Sequence, residues 1–346
     1  MRTAGPLAAL REGIRRVNHA PAVWLGVWAL TVLVSLPLAA AMRERLATSL
    51  GSSLAADTAA SGVNYDWMQE FMSDATGLAA TFRPAVIGFA AVLDNLSAFL
   101  DNDRQPIVIV STAAVYIAAW VFLAGGIIDR YARNRITYAH GFFAASGVFF
   151  FRFLRLAVGM ALAYGLLFGS LHPWLFGRVF PRLTRELTVE RTAFVIRLVL
   201  YGVFGCALAA CNIVFDYAKI RAVVEDRRSM MGATIAGIRF IRRNVAAAAG
   251  LYLMDVLLFA LVLAIYGLVA PGAGNAGWSI WLGFLLGQGY ILARLWVKLV
   301  FWASETALFQ SRLAHAGYVA TPTPVWPDSP MAEAIGTPTQ NLELKT

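Results

Sequence analysis

Long apolar stretches alternate with short polar segments along the whole chain. Six of them are long enough to cross a bilayer, namely residues 21–42, 106–128, 156–177, 192–215, 245–270 and 278–303. A helix needs roughly 20 mostly apolar residues to span the hydrocarbon layer. Because lipid offers no hydrogen-bond partner to backbone amides, exposed spans must be helical. The pattern therefore predicts an all-α, polytopic membrane protein with six transmembrane helices.

Basic and aromatic residues recur in a fixed order beside these stretches. Similar segments follow the second and fourth spans, Tyr131-Ala132-Arg133-Asn134-Arg135 and Tyr217-Ala218-Lys219-Ile220-Arg221. Segments of a second type directly precede spans: Ile14-Arg15-Arg16, Arg152-Phe153-Leu154-Arg155 and Arg239-Phe240-Ile241-Arg242. We predict amphipathic elbow helices on the inner membrane surface, at 6–19, 140–153 and 229–242. Each would be followed by a span out and a span back, and such internal repeats are common in transporters. The alternative is that basic and aromatic residues recur at any inner membrane edge.

Charge and composition narrow the class of partner. The chain has 346 residues, of which 59% are hydrophobic and 14% charged, against about 25% charged in a soluble domain. The net charge of +9 could indicate nucleic-acid binding, but the arginines cluster at the ends of spans. We therefore expect the anionic headgroups of the lipid bilayer as partner, and no nucleic acid. The inner-surface residues expected to meet them are Arg15, Arg16, Arg133, Arg135, Arg152, Arg155, Arg221, Arg239, Arg242 and Arg243.

The distribution of positive residues predicts the topology. If the N-terminus is inside, the inner segments carry eighteen Lys and Arg residues and the outer segments eight. Positive residues are enriched on the cytoplasmic side, so both termini are expected there. The first apolar stretch is longer than the core of a signal peptide and is predicted to be a retained span.

The domain organisation follows from this layout. Residues 1–20 form a cytoplasmic amphipathic segment, 21–305 the six-span domain, and 306–346 a cytoplasmic extension that is expected to be disordered from about 321. The outer segment 43–105 is acidic and is predicted to form an α-helical cap. Its parts are a loosely ordered start over 46–62, an amphipathic helix over 64–77, and a short interfacial or re-entrant helix over 84–93. This cap could recognise an external ligand or serve only as a lid.

Reactive motifs are missing from the sequence. The four histidines lie in separate segments, and no sequence motif of a serine hydrolase, zinc protease or P-loop ATPase occurs. We therefore expect no enzymatic activity, no cofactor and no metal. Gly-x-x-x-Gly occurs at Gly165/Gly169 and Gly283/Gly287 and is predicted to let neighbouring spans approach within the chain, rather than to drive dimerisation.

Ionisable residues inside spans are more informative, because each is costly in lipid and usually faces the bundle or a cavity. Lys298 lies near the predicted inner end of the sixth span and could reach the headgroups. Asp255 and Arg294 lie deeper, at roughly 15 and 14 Å from the inner ends of the fifth and sixth spans. A short link joins these spans, so we predict an Asp255–Arg294 ion pair with Gln288 nearby. It would be either a contact site in a transport path or a pair that fixes helix register.

Residues 216–244, DYAKIRAVVEDRRSMMGATIAGIRFIRRN, resemble a segment of uncharacterised bacterial six-span membrane proteins. The layout is also similar to the membrane domain found beside some glycerophosphodiester phosphodiesterases, whose catalytic domain is absent here. The resemblance implies a bacterial inner-membrane protein without an assigned activity.

The leading hypothesis is non-enzymatic transport of a small solute or lipid, or assistance to it. The alternatives are a structural or interaction protein and, third, an intramembrane enzyme. The oligomeric state is not predicted.

Overall fold

The computed structural model describes residues 5–51, 53–61, 64–83, 88–270 and 278–313. Within these ranges every regular element is a helix and no strand occurs. We number the principal helices α1 Pro6–Asn18, α2 Pro21–Leu50, α3 Ala56–Ser61, α4 Tyr65–Asp74, α5 Gly88–Leu100, α6 Ile107–Arg133, α7 Ala139–Thr184, α8 Glu190–Val224, α9 Met230–Arg243, α10 Val245–Val269 and α11 Trp278–Arg312.

Of the helices in the described ranges, six are long and apolar enough to cross a membrane: α2, α6, α7, α8, α10 and α11. The chain is therefore an all-α polytopic membrane protein, as its apolar pattern predicts. We call the end of the bundle that carries α1 and α9 the inner end, after the predicted topology, and the opposite end the outer end.

The second, fourth and sixth spans form the centre of the bundle. These helices, α6, α8 and α11, pack on one another. Toward the inner end they share a continuous apolar core in which Ile127, Ile220 and Leu299 have no exposed surface. The first and third spans lie outside this centre, with α2 against α6 and α11, and α7 against α6 and α8.

The elbow segments connect the units in cyclic order. α1 packs on α11, the first part of α7 packs on α6, and α9 packs on α8. Each elbow thus contacts the central helix of the preceding unit, and α1 closes the ring by packing on the last one. This packing agrees with the predicted threefold repeat.

Small residues allow these contacts to be close. A Cβ atom added at Gly13 would lie 2.6 Å from the backbone nitrogen of Ser304. One added at Gly126 would lie 2.5 Å from the Ser146 Oγ, and one at Gly237 would lie 3.3 Å from the Ala218 nitrogen. A side chain at Gly13 or Gly126 would force its neighbours to move, and one at Gly237 would be tightly packed.

Three of the four Gly-x-x-x-Gly residues do not have the role predicted for them. A Cβ added at Gly165, Gly169 or Gly287 would meet no atom within 4 Å among the residues that the structure describes. These glycines lie on faces to which no other described helix comes close. The close contacts instead use Gly13 and Gly237 of the elbow helices and Gly126 of α6, which no Gly-x-x-x-Gly spacing marks.

The middle elbow is not a separate helix, and this part of the prediction is wrong. Residues 140–153 belong to α7, which runs from Ala139 to Thr184. The first elbow ends before Pro21, which disfavours helix at the residue preceding it, whereas no proline interrupts 139–172. Further along, π-helical turns at Leu167–Leu171 and Leu175–Val179 precede Pro173 and Pro181. A proline removes one backbone donor, and the wider turns accommodate it without ending the helix.

The outer cap is helical, and it is more ordered than its composition suggests. α2 continues past the predicted end of the span to Leu50, and α3 occupies 56–61, so most of the stretch expected to be loosely ordered is helix. The predicted amphipathic helix is present as α4, with Trp67 and Met68 buried. The Trp67 Nε1 donates a hydrogen bond to the Ser49 Oγ at 3.1 Å, which fixes α4 to the extension of α2.

α5 contains the described part of the predicted short helix over 84–93, whose first four residues lie outside the described ranges. It does not end at Asp94 but continues to Leu100. Its two ends contact different spans: the Phe89 ring lies 6.3 Å from that of Tyr266 in α10, and Leu100 accepts a hydrogen bond at 2.8 Å from the ring Nε2 of His172 in α7. α5 therefore bridges α7 and α10 at the outer end.

Asp101 holds the end of α5 to α8. Its carboxylate accepts hydrogen bonds from the hydroxyl of Tyr201 and, at 3.1 Å, from the guanidinium of Arg197. The Tyr201 hydrogen bond, with smaller contributions from Ser97 and Arg197, lowers the pKa of Asp101 below its ordinary 3.8. A lowered folded pKa means that this contribution to stability is complete above about pH 4 and is lost as the pH falls further.

The last span is longer than its apolar stretch. α11 continues through Ser304, Glu305 and Thr306 to Arg312, and the residues from Ala303 to Phe309 are buried. The predicted domain boundary at 305/306 is therefore too early, because α1 covers this polar stretch and keeps it inside the bundle. The tail predicted to be disordered from 321 lies outside the described residues.

We expect Gly13→Leu to destabilise the protein, because a side chain there meets the α11 backbone. Overpacking of this kind typically costs about 1–3 kcal/mol, and we expect a lower melting temperature and a lower folded yield in detergent. The matched control is Gly26→Leu, at a helical position where an added Cβ meets no atom within 4 Å. Equal melting temperatures for the two variants would contradict the role of the α1–α11 contact.

Candidate functional site

The threefold arrangement is incomplete beside α10. α2 and α7 each pack on two central helices, whereas α10 packs on α11 and α1 but makes little contact with α8. A cavity of about 450 Å³ lies beside this gap. It is lined by Tyr116, Met160, Asn212, Asp216, Lys219, Tyr252, Phe259, Arg294, Leu295, Val297, Lys298, Phe301 and Trp302.

Two cations of α11 reach this cavity from deep in the bundle. Arg294 lies near the middle of the helix, and Lys298 lies roughly 21 Å from its inner end at 1.5 Å per residue. Both side chains are exposed and line the cavity. The expectation that Lys298 reaches the inner headgroups is wrong, because α11 extends to Arg312.

An aromatic pair positions Lys298. The rings of Trp120 and Trp302 are nearly perpendicular, with centroids 5.5 Å apart. The ammonium nitrogen of Lys298 lies 3.6 Å from the Trp120 centroid and 6.0 Å from that of Trp302. Because the face of an indole ring is electron-rich, this placement partly compensates the charge without neutralising it.

The single carboxylate that lines the cavity, that of Asp216, already has two partners within the chain. The Asp216 Oδ1 lies 2.5 Å from the Lys219 Nζ and accepts a hydrogen bond at 3.1 Å from the Trp302 Nε1. Lys219 also lies 4.8 Å from the centroid of the Trp302 ring. Asp216 therefore balances Lys219 and leaves the other two cations uncompensated.

The charge balance of the cavity favours an anion. Among the described residues, neither Arg294 nor Lys298 lies within ion-pair distance of a carboxylate. Two positive charges within the membrane-spanning part of a protein are unfavourable unless an opposite charge or water accompanies them. In the same described ranges, no three His, Cys, Asp or Glu side chains are placed to hold a metal ion.

The predicted Asp255–Arg294 ion pair is not formed. Asp255 is fully buried, and its Oδ2 accepts a hydrogen bond from the Ser304 Oγ at 3.0 Å. Ser304 lies ten residues beyond Arg294, a displacement of roughly 15 Å along the helix. The predicted depth of Arg294 is wrong because it was measured from an inner end at Ala303, whereas α11 continues for nine more residues.

Gln288 also lies elsewhere. Its side-chain oxygen accepts a hydrogen bond at 3.1 Å from the Trp28 Nε1, which joins α11 to α2. Of the three residues predicted for the intramembrane site, only Arg294 lines the cavity.

The sequence does contain a signal for the residues that were missed. Asn212, Asp216 and Lys219 follow one another at spacings of four and three, so they form one polar stripe on α8. Arg294 and Lys298 are four apart and share a face of α11. Asp216 and Lys219 fall in the segment interpreted as an inner loop, Lys298 near a span end and Arg294 deep in the sixth span, so their shared faces were not recognised.

The predicted inner-surface arginines divide into two groups. Arg16, Arg133, Arg152 and Arg221 are partly buried and form ion pairs within the chain, with Glu12, Asp129, Asp226 and Glu225. Arg15 is more exposed but also pairs with Glu12. The remaining ones are exposed at the inner end: Arg135, Arg155, Arg239, Arg242 and Arg243. Half of the predicted set therefore stabilises the fold instead of facing only the membrane surface.

Comparison of the chain with protein-family models gives no match, and comparisons with curated proteins and with solved structures give no significant match. The fold and the cavity therefore define the class by themselves: a six-span helical membrane protein with a cation-lined cavity among its spans.

A double-mutant cycle distinguishes the observed partner of Asp255 from the predicted one. We expect Asp255→Ala and Ser304→Ala to be coupled by about 1–3 kcal/mol in the free energy of unfolding, because either change removes the hydrogen bond between them. The cycle between Asp255→Ala and Arg294→Gln should show coupling near zero. Strong coupling in the second cycle and none in the first would contradict the helix register described above.

Proposed function

We propose that the protein is a non-enzymatic carrier that binds an anionic amphiphile in the cavity between α8, α10 and α11. The observation that carries the proposal is the exposure of Arg294 and Lys298 to this cavity without a carboxylate partner in the described structure. A bound phosphate or carboxylate would supply the missing negative charge and form charge-assisted hydrogen bonds with both side chains.

The rest of the wall suits an amphiphile rather than a small inorganic ion. Phe259, Phe301 and Trp302 provide apolar surface next to the cations. The cavity also lies beside the gap where α10 stands away from α8, so apolar chains could extend toward lipid from that side. A lipid headgroup and a soluble organic anion share this chemistry.

The charged side chains of the wall suit binding of an anion. They are Asp216, which is paired with Lys219, and the cations Arg294 and Lys298. A polar cavity also favours the transport hypothesis over a purely structural role, for which a dry, closely packed bundle would suffice. The similarity to the membrane domain beside glycerophosphodiester phosphodiesterases stays a prediction.

We expect the variant Arg294→Gln/Lys298→Met to bind an anionic lipid at least about tenfold more weakly than the wild type, because it loses two charge-assisted contacts. Native mass spectrometry of the full chain with phosphatidylglycerol measures this directly, with phosphatidylcholine as the neutral lipid. The matched control is Arg155→Gln, which removes an exposed cation at the inner end.

Inorganic phosphate and a soluble alkyl phosphate serve as competitors in the same experiment. Displacement of the lipid by the alkyl phosphate indicates that the site also accepts soluble anions, and its failure indicates a lipid ligand. Equal binding of phosphatidylglycerol by the cavity variant and the wild type would overturn the proposal.

We further propose a bacterial inner-membrane location with both termini in the cytoplasm. The exposed face of α9 supports the orientation, since Met231 and Ile235 are accessible while Arg239, Arg242 and Arg243 are exposed beside them. Such a helix suits an interface rich in anionic headgroups, where arginine heads meet phosphates and apolar side chains enter the lipid.

Cysteine labelling tests this topology. In a Cys206→Ser/Cys211→Ser background, a membrane-impermeant maleimide applied to intact cells should label Ser73→Cys and spare Arg228→Cys, since both positions are exposed on opposite sides of the bundle. After the cells are permeabilised, both should be labelled. The reverse labelling pattern in intact cells would invert the topology.

A further inference from the structure

A second group of polar side chains lies between α8, α10 and α11, and it has too few hydrogen-bond partners. Glu305 is 1% exposed, and its Oε2 has no partner in the described structure. Asp255 uses one carboxylate oxygen for Ser304, while its Oδ1 has none. The hydroxyl of Tyr217, a residue 1% exposed, is likewise without a partner.

Three helices present titratable groups to this cluster. α8 contributes Asp216, Tyr217 and Lys219, and α10 contributes Tyr252 and Asp255, all within electrostatic range of Glu305. On α11 itself, the positive charge of Arg312 lies within electrostatic range of the Tyr217 hydroxyl. α1 also packs on α11, but its Arg16 is directed to Gln310 and to the carbonyl of Tyr131.

The cation within electrostatic range of Glu305 is already paired. It is Lys219, whose Nζ lies 2.5 Å from the Asp216 Oδ1. If both Glu305 and Asp255 were ionised, two buried carboxylates would carry negative charge within electrostatic range of each other. A buried carboxylate in that position is strongly unfavourable, and binding a proton removes the charge.

We propose that Glu305 and Asp255 form a proton-binding site, and that the site takes up a proton when an anion enters the neighbouring cavity. The second part rests on the proposed function, whereas the first does not. The proton comes from water and forms an O–H bond on a carboxylate oxygen, so no other reactant is needed. A proton fits better than a metal ion, because the described residues offer no trio of His, Cys, Asp or Glu side chains at metal-binding spacing.

Asp216 provides the connection between the two sites. It is held by Lys219 and by the Trp302 Nε1, and all three residues line the cavity. Asp216 also acts electrostatically on Glu305. An anion in the cavity competes for Lys219, so the charge of Asp216 is less compensated and opposes a second negative charge nearby. Protonation of the cluster relieves this repulsion, and by reciprocity a bound proton strengthens anion binding.

Infrared spectroscopy of the full chain tests the proton site without any anion. We expect the carbonyl band of a protonated carboxylic acid to grow in the wild type as the pH is lowered through the neutral range, and to be lost or clearly weakened in Glu305→Gln. Because glutamine resembles a neutral glutamic acid, this variant should melt close to the wild-type temperature. Glu70→Gln, which changes an exposed carboxylate of α4, is the matched control and should leave the band unchanged.

A second measurement tests the coupling. Binding of phosphatidylglycerol should strengthen as the pH is lowered, by up to about tenfold per pH unit if one proton accompanies each anion. In Glu305→Gln this dependence should be flattened while binding persists. A sodium series at constant ionic strength completes the experiment, since a proton site predicts no sodium dependence of binding.

The outcomes separate the two proposals. An unchanged band in both Glu305→Gln and Asp255→Asn would overturn the proton site, and so would binding that depends on sodium. Anion binding with the same pH dependence in wild type and Glu305→Gln would overturn the coupling. Absence of anion binding would remove the proposed function and the coupling with it, while the band would still decide whether the proton site exists.

Discussion

The close packing of the elbow segments on the central helices is the contact on which the rest of the structure depends. Within lipid, burial of apolar surface does not drive helices together, so association relies on close van der Waals contact and on polar bonds between helices. The inner end provides both. At Gly13 the backbone of α1 reaches Ser304, and Ser304 in turn donates to Asp255 of α10. One junction thus joins three helices, and related contacts at Gly126 and Gly237 join the other units.

This junction explains where polar groups are found. The buried surface of α6, α8 and α11 is concentrated toward their inner ends, whereas few residues of the apolar windows of the six spans are buried inside the protein. Because the inner end is closely packed, α11 carries Ser304, Glu305 and Thr306 inside the protein, with α1 against Ser304. It also holds Lys298 and Trp302 at fixed positions, so the cavity wall above the junction has a defined shape.

The sequence predicts the elements of this fold better than their register. Apolar length is sufficient to locate six spans, because a helix that crosses lipid must be apolar over its whole crossing. It does not locate the helix ends, since α11 continues for nine residues beyond Ala303 under the cover of α1. Because of this extension, Arg294 lies at a different depth from Asp255, and Lys298 lies in the middle of the bundle instead of near the inner end. Register in such a helix is decided by its neighbours, and a single stretch of sequence does not contain them.

The cavity exists because α8 and α11 each present a polar face, and an apolar helix cannot pack closely on such a face. Asn212, Asp216 and Lys219 form a stripe on α8, and Arg294 and Lys298 form one on α11. If α10 packed on α8 as closely as α7 packs on α6, these side chains would lose solvent without gaining partners, which is strongly unfavourable for charged groups. α10 therefore remains on α11 and α1, where Ala247, Ala248 and Leu251 join the apolar core. The break in the threefold arrangement is thus a consequence of the charges, and the space that it leaves is lined by the groups that an anion would bind.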